Sequence, residues 1–246
     1  MGRLVELPGV GAEVEQQLGK LIGELEHVYH RQLLAVFLYG SAARGDFIPG
    51  RSDLNLLIVL QSGRLDNLEG AARLFHRWRK LRIAPLLLTA GEIGLAGHVF
   101  PLELSEIKES GRLLYGSNPL DALQIGPEDL RAQCRREVYG GIIRLRQEYI
   151  DLGDRRHALG EILAGAMTPL LPVFRALLRL EGSAVPPTDA AVVEVVAARH
   201  HLDRDLFSRL LDHKHGSIRL ALADMQHLFE RLILEWERVI ALVHAA

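Results

Sequence analysis

Apolar residues recur at helical spacing near the start of the chain. Val14, Leu18, Leu21, Ile22, Leu25 and Val28 are separated by charged and polar positions. That period of 3.6 predicts an amphipathic helix over 11–31. The pattern then changes to two short, mainly apolar runs, Leu33-Leu-Ala-Val-Phe-Leu-Tyr39 closed by Gly40, and Asp53-Leu-Asn-Leu-Leu-Ile-Val-Leu60. Runs of this length bounded by glycine and polar residues predict buried strands. Between them Ser41-Ala-Ala-Arg-Gly-Asp-Phe-Ile-Pro-Gly-Arg-Ser52 is rich in turn formers and predicts a loop opening on one helical turn. Helical spacing returns over 66–80, followed by a third strand over 82–89 and a short one over 111–116. Pro85 cannot donate a ladder hydrogen bond, which predicts an edge position for the third strand.

From Pro127 onward the periodicity is helical throughout, with segments at 127–152, 156–181, 187–200, 203–213 and 216–245. The breaks fall at Asp151-Leu-Gly-Asp154, at Gly182-Ser-Ala-Val-Pro-Pro187 and around Gly216. The expected class is therefore α+β: a small α/β domain with a mixed sheet over 1–120, then an all-α helical bundle over 121–246.

Composition narrows the picture. The 246 residues are 48% apolar and 24% charged, with 29 basic and 31 acidic side chains, so a solvated globular protein is expected. The near-neutral balance gives no electrostatic footprint for nucleic acid, which is not an expected partner. Cys134 is the one cysteine, which excludes an internal disulfide and a thiolate-rich zinc site. No leader-like apolar stretch opens the chain and no 18-residue apolar run interrupts it, so the expectation is a cytoplasmic protein without a membrane span.

The chemistry is concentrated between Tyr39 and Leu60. A strand ending in Gly40-Ser41 and entering a helical turn lets a phosphate approach the backbone closely, because glycine has no side chain in the way. Backbone N–H groups at the start of the turn would receive that phosphate, with Ser41 adding a hydroxyl and Arg44 a cation. The next strand opens on Ser52-Asp53-Leu54-Asn55, and side chains two apart on a strand share a face. Two carboxylates at 53 and 55 would hold a pair of magnesium ions against a triphosphate.

The segment resembles the polymerase-beta-like nucleotidyltransferase superfamily, which includes aminoglycoside nucleotidyltransferases and small bacterial antitoxin-type proteins. The family pattern is an apolar strand ending in Gly-Ser, a spacer, then Asp-x-Asp or Asp-x-Glu opening a second apolar strand, with a third carboxylate on a later strand. Tyr39-Gly-Ser-Ala-Ala-Arg-Gly45 and Ser52-Asp-Leu-Asn55 match the first part of it, and the likeness covers residues of about 30–116. A helical C-terminal domain also follows such a domain in antibiotic-modifying members. The resemblance implies a nucleoside triphosphate as donor, Mg²⁺ as cofactor and a hydroxyl-bearing acceptor, small molecule or protein. It places Gly40, Ser41, Arg44 and Ser52 at the phosphates, Asp53 and Asn55 at the catalytic positions and Asp53 on a metal.

This sequence departs from the pattern in two places. Position 55 is an asparagine, which offers a neutral carbonyl oxygen instead of a bridging carboxylate. The third strand carries no acid, and the nearest, Glu92, lies past its end. Glu103, flanked by Leu102 and Leu104, is the substitute metal ligand if that segment is extended; if it is not, Glu103 caps a helix or faces solvent. Two function classes follow: a transferase, or a non-catalytic nucleotide-binding or antitoxin-like interaction protein of the same fold, with a homodimer among its candidate assemblies. Other features carry less. The eleven histidines show no ligand spacing. Arg209 with His215, and Arg238 with His244, resemble in spacing a ribonuclease motif of helical toxin domains. Arg73, Arg77, Arg79, Lys80 and Arg82 form a basic group beside the third strand, either a solvated helix face or charges that could steer a triphosphate; Trp78 and Trp236 read as packing residues, and Glu137, Glu148 and Glu161 are unranked candidate bases.

Overall fold

The computed structural model describes Leu7, residues 10–155 and residues 158–246. The chain divides into two compact units between Ile125 and Gly126. Most of the opening stretch examined for a leader lies outside the described residues.

In the first unit, α1 (Ala12–Tyr29) leads through a short 3-10 turn into β1 (Leu33–Tyr39), followed by a single helical turn, α2 (Ser41–Arg44), and β2 (Leu54–Leu60). Next come α3 (Leu65–Arg77), β3 (Ile83–Thr89), α4 (Ile93–Val99), α5 (Pro101–Ser110) and β4 (Arg112–Gly116). The sheet order is β3-β2-β1-β4. The β1–β2 and β1–β4 pairs are antiparallel and the β2–β3 pair is parallel, so the sheet is mixed. β3 lies at an edge, where Pro85 costs no central ladder bond.

β1 and β2 are nearly continuous in apolar residues because both faces of the sheet are covered. Val36, Leu38, Leu56 and Ile58 pack with Leu18, Leu21 and Leu25 of α1 and Leu74 of α3. Trp78 packs against this side, and its Nε1 donates to Glu24 Oε2 at 3.3 Å. Ala35, Phe37, Leu57 and Val59 meet Ile93 and Ala96 of α4 and Leu104 and Ile107 of α5 on the other side. Those last two helices were not expected from the apolar spacing. They also overturn the extended reading of the Glu103 segment, since Pro101 starts α5 at its first position and Glu103 lies in its first turn.

The second unit is helical: α6 (Pro127–Leu152), α7 (Leu159–Leu180), α8 (Asp189–His200), α9 (Arg204–His215) and α10 (Leu222–Ala245). The start expected for the second of these, at 156, lies outside the described residues. α7 is the one described helix long and apolar enough to cross a membrane, yet 67% of that stretch is buried within the unit. It also carries Pro169, Pro172 and the buried Arg175. These features make it the core helix of the bundle. Trp236 of α10 is 1% exposed and donates from Nε1 to Val138 O at 2.8 Å. A Cβ at Gly141 would stand 2.3 Å from the Trp236 ring, so only glycine lets α6 and α10 approach there.

Cys134 on α6 is fully buried, and burial first, then the charge of Glu137, pushes its thiol from an ordinary 9.0 up to about 12. Only the thiolate is a nucleophile. Iodoacetamide at pH 8 is therefore expected to leave the folded protein unmodified while labelling urea-unfolded chain fully, as read by mass spectrometry. Burial also raises Tyr29, and with the charge of Glu103 it raises Tyr39. All three groups ionise earlier in the unfolded chain. Their contribution is thus complete below their ordinary values and is lost as pH climbs above about 9.

Candidate active site

Because β1 runs against β2 and β4, and β2 runs with β3, the start of β4 lies at one end of the sheet together with three strand ends that frame the site. They are the C-terminus of β1 and the N-termini of β2 and β3. Gly40 leaves β1 with φ 73° and ψ −152° and turns the chain into α2. Its carbonyl accepts from Ala43 N at 3.1 Å and from Arg44 N at 3.2 Å. The N–H groups of Ser41 and Ala42 precede this first intrahelical bond, as at any helix start. Gly45, left-handed at φ 91°, closes the turn, and Gly45 N and Asp46 N both donate to Ser41 O.

Asn55 lies opposite Tyr39 on β1 and opposite Ala84 on β3. Its amide packs so closely on Gly40 that a Cβ at position 40 would stand 2.5 Å from Asn55 Nδ2. The structure thus brings Gly40, Ser41 and Asn55 together. Asp53 immediately precedes β2, and its Oδ1 accepts from Arg82 Nε at 2.9 Å. Both side chains of that pair are about half exposed, at 49% and 51%.

The remaining expected residues have other work. Arg44 has a side chain only 9% exposed and forms ion pairs with Glu106 of α5 and, at 4.0 Å, with Asp46. Its charge is matched by carboxylates and ties the turn to α5. Ser52 Oγ accepts from Ile48 N at 3.0 Å, and Ser52 N donates to Ile48 O at 2.9 Å, so its hydroxyl closes the loop before β2. Glu103 is exposed on α5 and acts electrostatically on Tyr39 at the end of β1. Glu92 lies at the opposite end of β3, where its carboxylate accepts from Thr89 N at 2.7 Å. That bond first, then the Thr89 hydroxyl, lowers its pKa. Seven residues of strand put Glu92 roughly 20 Å from Arg82.

This donor set does not fit a pair of magnesium ions. Asp53 is one carboxylate engaged by a guanidinium, Asn55 is neutral, and Ala84 stands where β3 faces Asn55. Among the described residues, no group of three His, Cys, Asp or Glu side chains could hold a metal ion. One residue of the site, Glu106, has no role assigned from the sequence. Glu106 became visible only with α5, whose start is signalled by Pro101 with an acid in the first turn. Arg82 is legible in the sequence as one of a basic group that could steer a triphosphate, but its pairing with Asp53 is not.

In the helical unit, Arg238 donates to Glu235 Oε1 at 2.7 Å and to His201 O at 2.6 Å, and His244 contacts the Tyr139 hydroxyl at 2.9 Å. His213 Nε2 lies 3.0 Å from Gly160 O, linking α9 to α7. These contacts hold the bundle together.

No family model matches the chain, and none of the curated proteins matches it. Among solved structures it is similar to spectinomycin adenyltransferase AAD(9) from Enterococcus faecialis, determined with ATP and spectinomycin. The likeness has a TM-score of 0.56 and covers 88% of this chain and 98% of that one, at 14% identity. At that identity the likeness is one of fold. The chain shares the α+β architecture of that structure, with a mixed four-stranded sheet and helices followed by a helical C-terminal unit.

Proposed function

We propose that this chain binds the triphosphate of a nucleotide at the Gly40–Ser41 turn, on a nucleotidyltransferase-type frame that lacks the carboxylates for two-metal transfer. One observation carries the reading: Gly40 holds a conformation reserved for glycine, with the Asn55 amide packed against it. This arrangement leaves the backbone at the mouth of α2 bare of side chain at position 40. A phosphate could come to within hydrogen-bonding distance of the N–H groups there, and Ser41 would add its hydroxyl. The shared fold with an adenyltransferase whose structure holds ATP supports the same assignment.

The competing reading is an active transferase that moves a nucleoside monophosphate to a hydroxyl acceptor. Its support is that the likeness extends through the helical unit to nearly the full length of an enzyme bound to spectinomycin. The two readings differ in turnover. Calorimetric titration with ATP, GTP, CTP and UTP is expected to show binding of at least one. Pyrophosphate release is expected to stay at background, far below the roughly 1–10³ s⁻¹ of ordinary enzymes. Asn55→Asp, which supplies a second carboxylate, is the variant expected to raise it. Turnover by the native protein would overturn the non-catalytic reading, and failure to bind any triphosphate would overturn both.

A further inference from the structure

Arg82 holds a position that its neighbours impose. It caps the 3-10 turn Arg79–Leu81 in a left-handed conformation, φ 51°, which non-glycine residues seldom adopt. Arg82 N donates to Arg79 O at 3.2 Å, and Arg82 O accepts from Leu54 N at 3.0 Å, between Asp53 and Asn55. The backbone therefore pins Arg82 beside the start of β2. Strand spacing of about 4.8 Å places the β1 and β3 ends of this edge roughly 10 Å apart, with Asp53 between Gly40 and Arg82.

The side chain completes the picture. Arg82 reaches Asp53 through Nε, and a guanidinium carries five N–H donors in a fork suited to phosphate oxygens. The residue is half exposed, whereas Arg44, the arginine expected at the phosphates, is buried against Glu106 and Asp46. Of these two cations flanking the glycine turn, Arg82 is the one that faces solvent.

We infer that Arg82 supplies from the protein itself the positive charge that a polyphosphate needs at this turn, so that binding there is independent of magnesium. In this arrangement Asp53 pairs with the guanidinium, in competition with a phosphate, and does not ligate a cation. The inference rests on the proposal that the turn binds a triphosphate, and it assigns that site its counter-charge. It accounts together for the three departures from a metal site, which are the paired Asp53, the neutral Asn55 and the acid-free β3.

The test is calorimetric titration of the full chain with ATP and with inorganic tripolyphosphate, first in excess EDTA and then in excess Mg²⁺. Affinity is expected to differ less than about threefold between the two conditions, because no step in binding recruits the metal. Arg82→Asn removes the charge with a residue that tolerates the left-handed backbone. It is expected to weaken binding about tenfold or more in both conditions, the loss of a charge-assisted hydrogen bond. Arg82→Lys should recover part of it. Asp53→Asn, which releases the guanidinium, should leave affinity intact or raise it, whereas a metal ligand at 53 demands the opposite. An exposed ion pair adds little to stability, so thermal melts of these variants should overlay the native curve.

Binding that requires Mg²⁺ and vanishes in Asp53→Asn overturns the inference and leaves nucleotide binding standing. An Arg82→Asn protein that binds like the native one also overturns it. Failure of both probes under every condition removes the nucleotide reading and the inference with it.

Discussion

Gly40→Ala is expected to lower the stability of the protein by about 1–3 kcal/mol and to weaken triphosphate binding by about tenfold or more. The strain has two sources. At φ 73° and ψ −152° the backbone lies where a β-carbon collides with its own peptide units. The added methyl would also stand 2.5 Å from Asn55 Nδ2, closer than any real contact. The second collision is the cheaper one, because an amide at the tip of a side chain can swing aside. The first has no such escape. The alanine must either hold the strained angles or rotate the peptide entering Ser41, and that rotation carries the N–H groups away from where a phosphate would lie. A double variant, Gly40→Ala with Asn55→Ala, separates the two sources. It relieves the contact but not the backbone, and should recover only a small part of the loss. Urea denaturation reads the stability and calorimetry the binding. A Gly40→Ala protein that binds ATP as the native one does would remove the phosphate from this turn.

The largest loss of stability is expected at Arg175→Met, about 3–5 kcal/mol by urea denaturation. Arg175 is 2% exposed within α7. Its Nη2 donates to Asp189 Oδ1 at 2.6 Å and its Nη1 to Pro186 O at 2.9 Å. Asp189 is 5% exposed at the first position of α8. Methionine fills much of the space but leaves a carboxylate buried without its cation, and that desolvated charge is what destabilises. The position of Asp189 at a helix N-terminus offsets part of the cost through the helix dipole, which places the expected value at the lower end. Adding Asp189→Leu to Arg175→Met should return most of the stability, since a buried ion pair replaced on both sides by apolar groups is often neutral. If the double variant is as unstable as the single, the contribution of Arg175 comes from packing and from its bond to Pro186.

The fold was readable in the sequence wherever one period dominated. α6 runs over 127–152 as its apolar spacing requires, β1 coincides with the first apolar run, and β2 begins one residue into the second. α4 and α5 were missed because each is short and the pattern around them is mixed. Gly94 and Gly97 weaken the helical signal in α4, and Phe100 separates the two helices with a residue that is itself apolar. The missed helices mattered for the site. Without α5 there was no partner on that helix for Arg44, which therefore read as a phosphate ligand, whereas a helical or solvent-facing Glu103 was already one of the two readings open for that segment. Gly40, Ser41 and Asn55 were legible because a strand ending in glycine and followed by a second strand leaves little freedom in how their backbones meet. The Asp53–Arg82 pair was not, because it depends on a parallel register between β2 and β3 that no local pattern encodes.

Pro85 carries a consequence for how copies of this chain meet. An edge strand can recruit a neighbour only by offering it a continuous row of amide protons, and β3 has a gap in that row at its third residue. The opposite edge, β4, is five residues long, begins on an exposed arginine and slips register against β1. Neither margin offers enough uninterrupted backbone for a second sheet to zip on. An interrupted edge and a short one with a slipped register are features by which sheets resist edge-to-edge pairing.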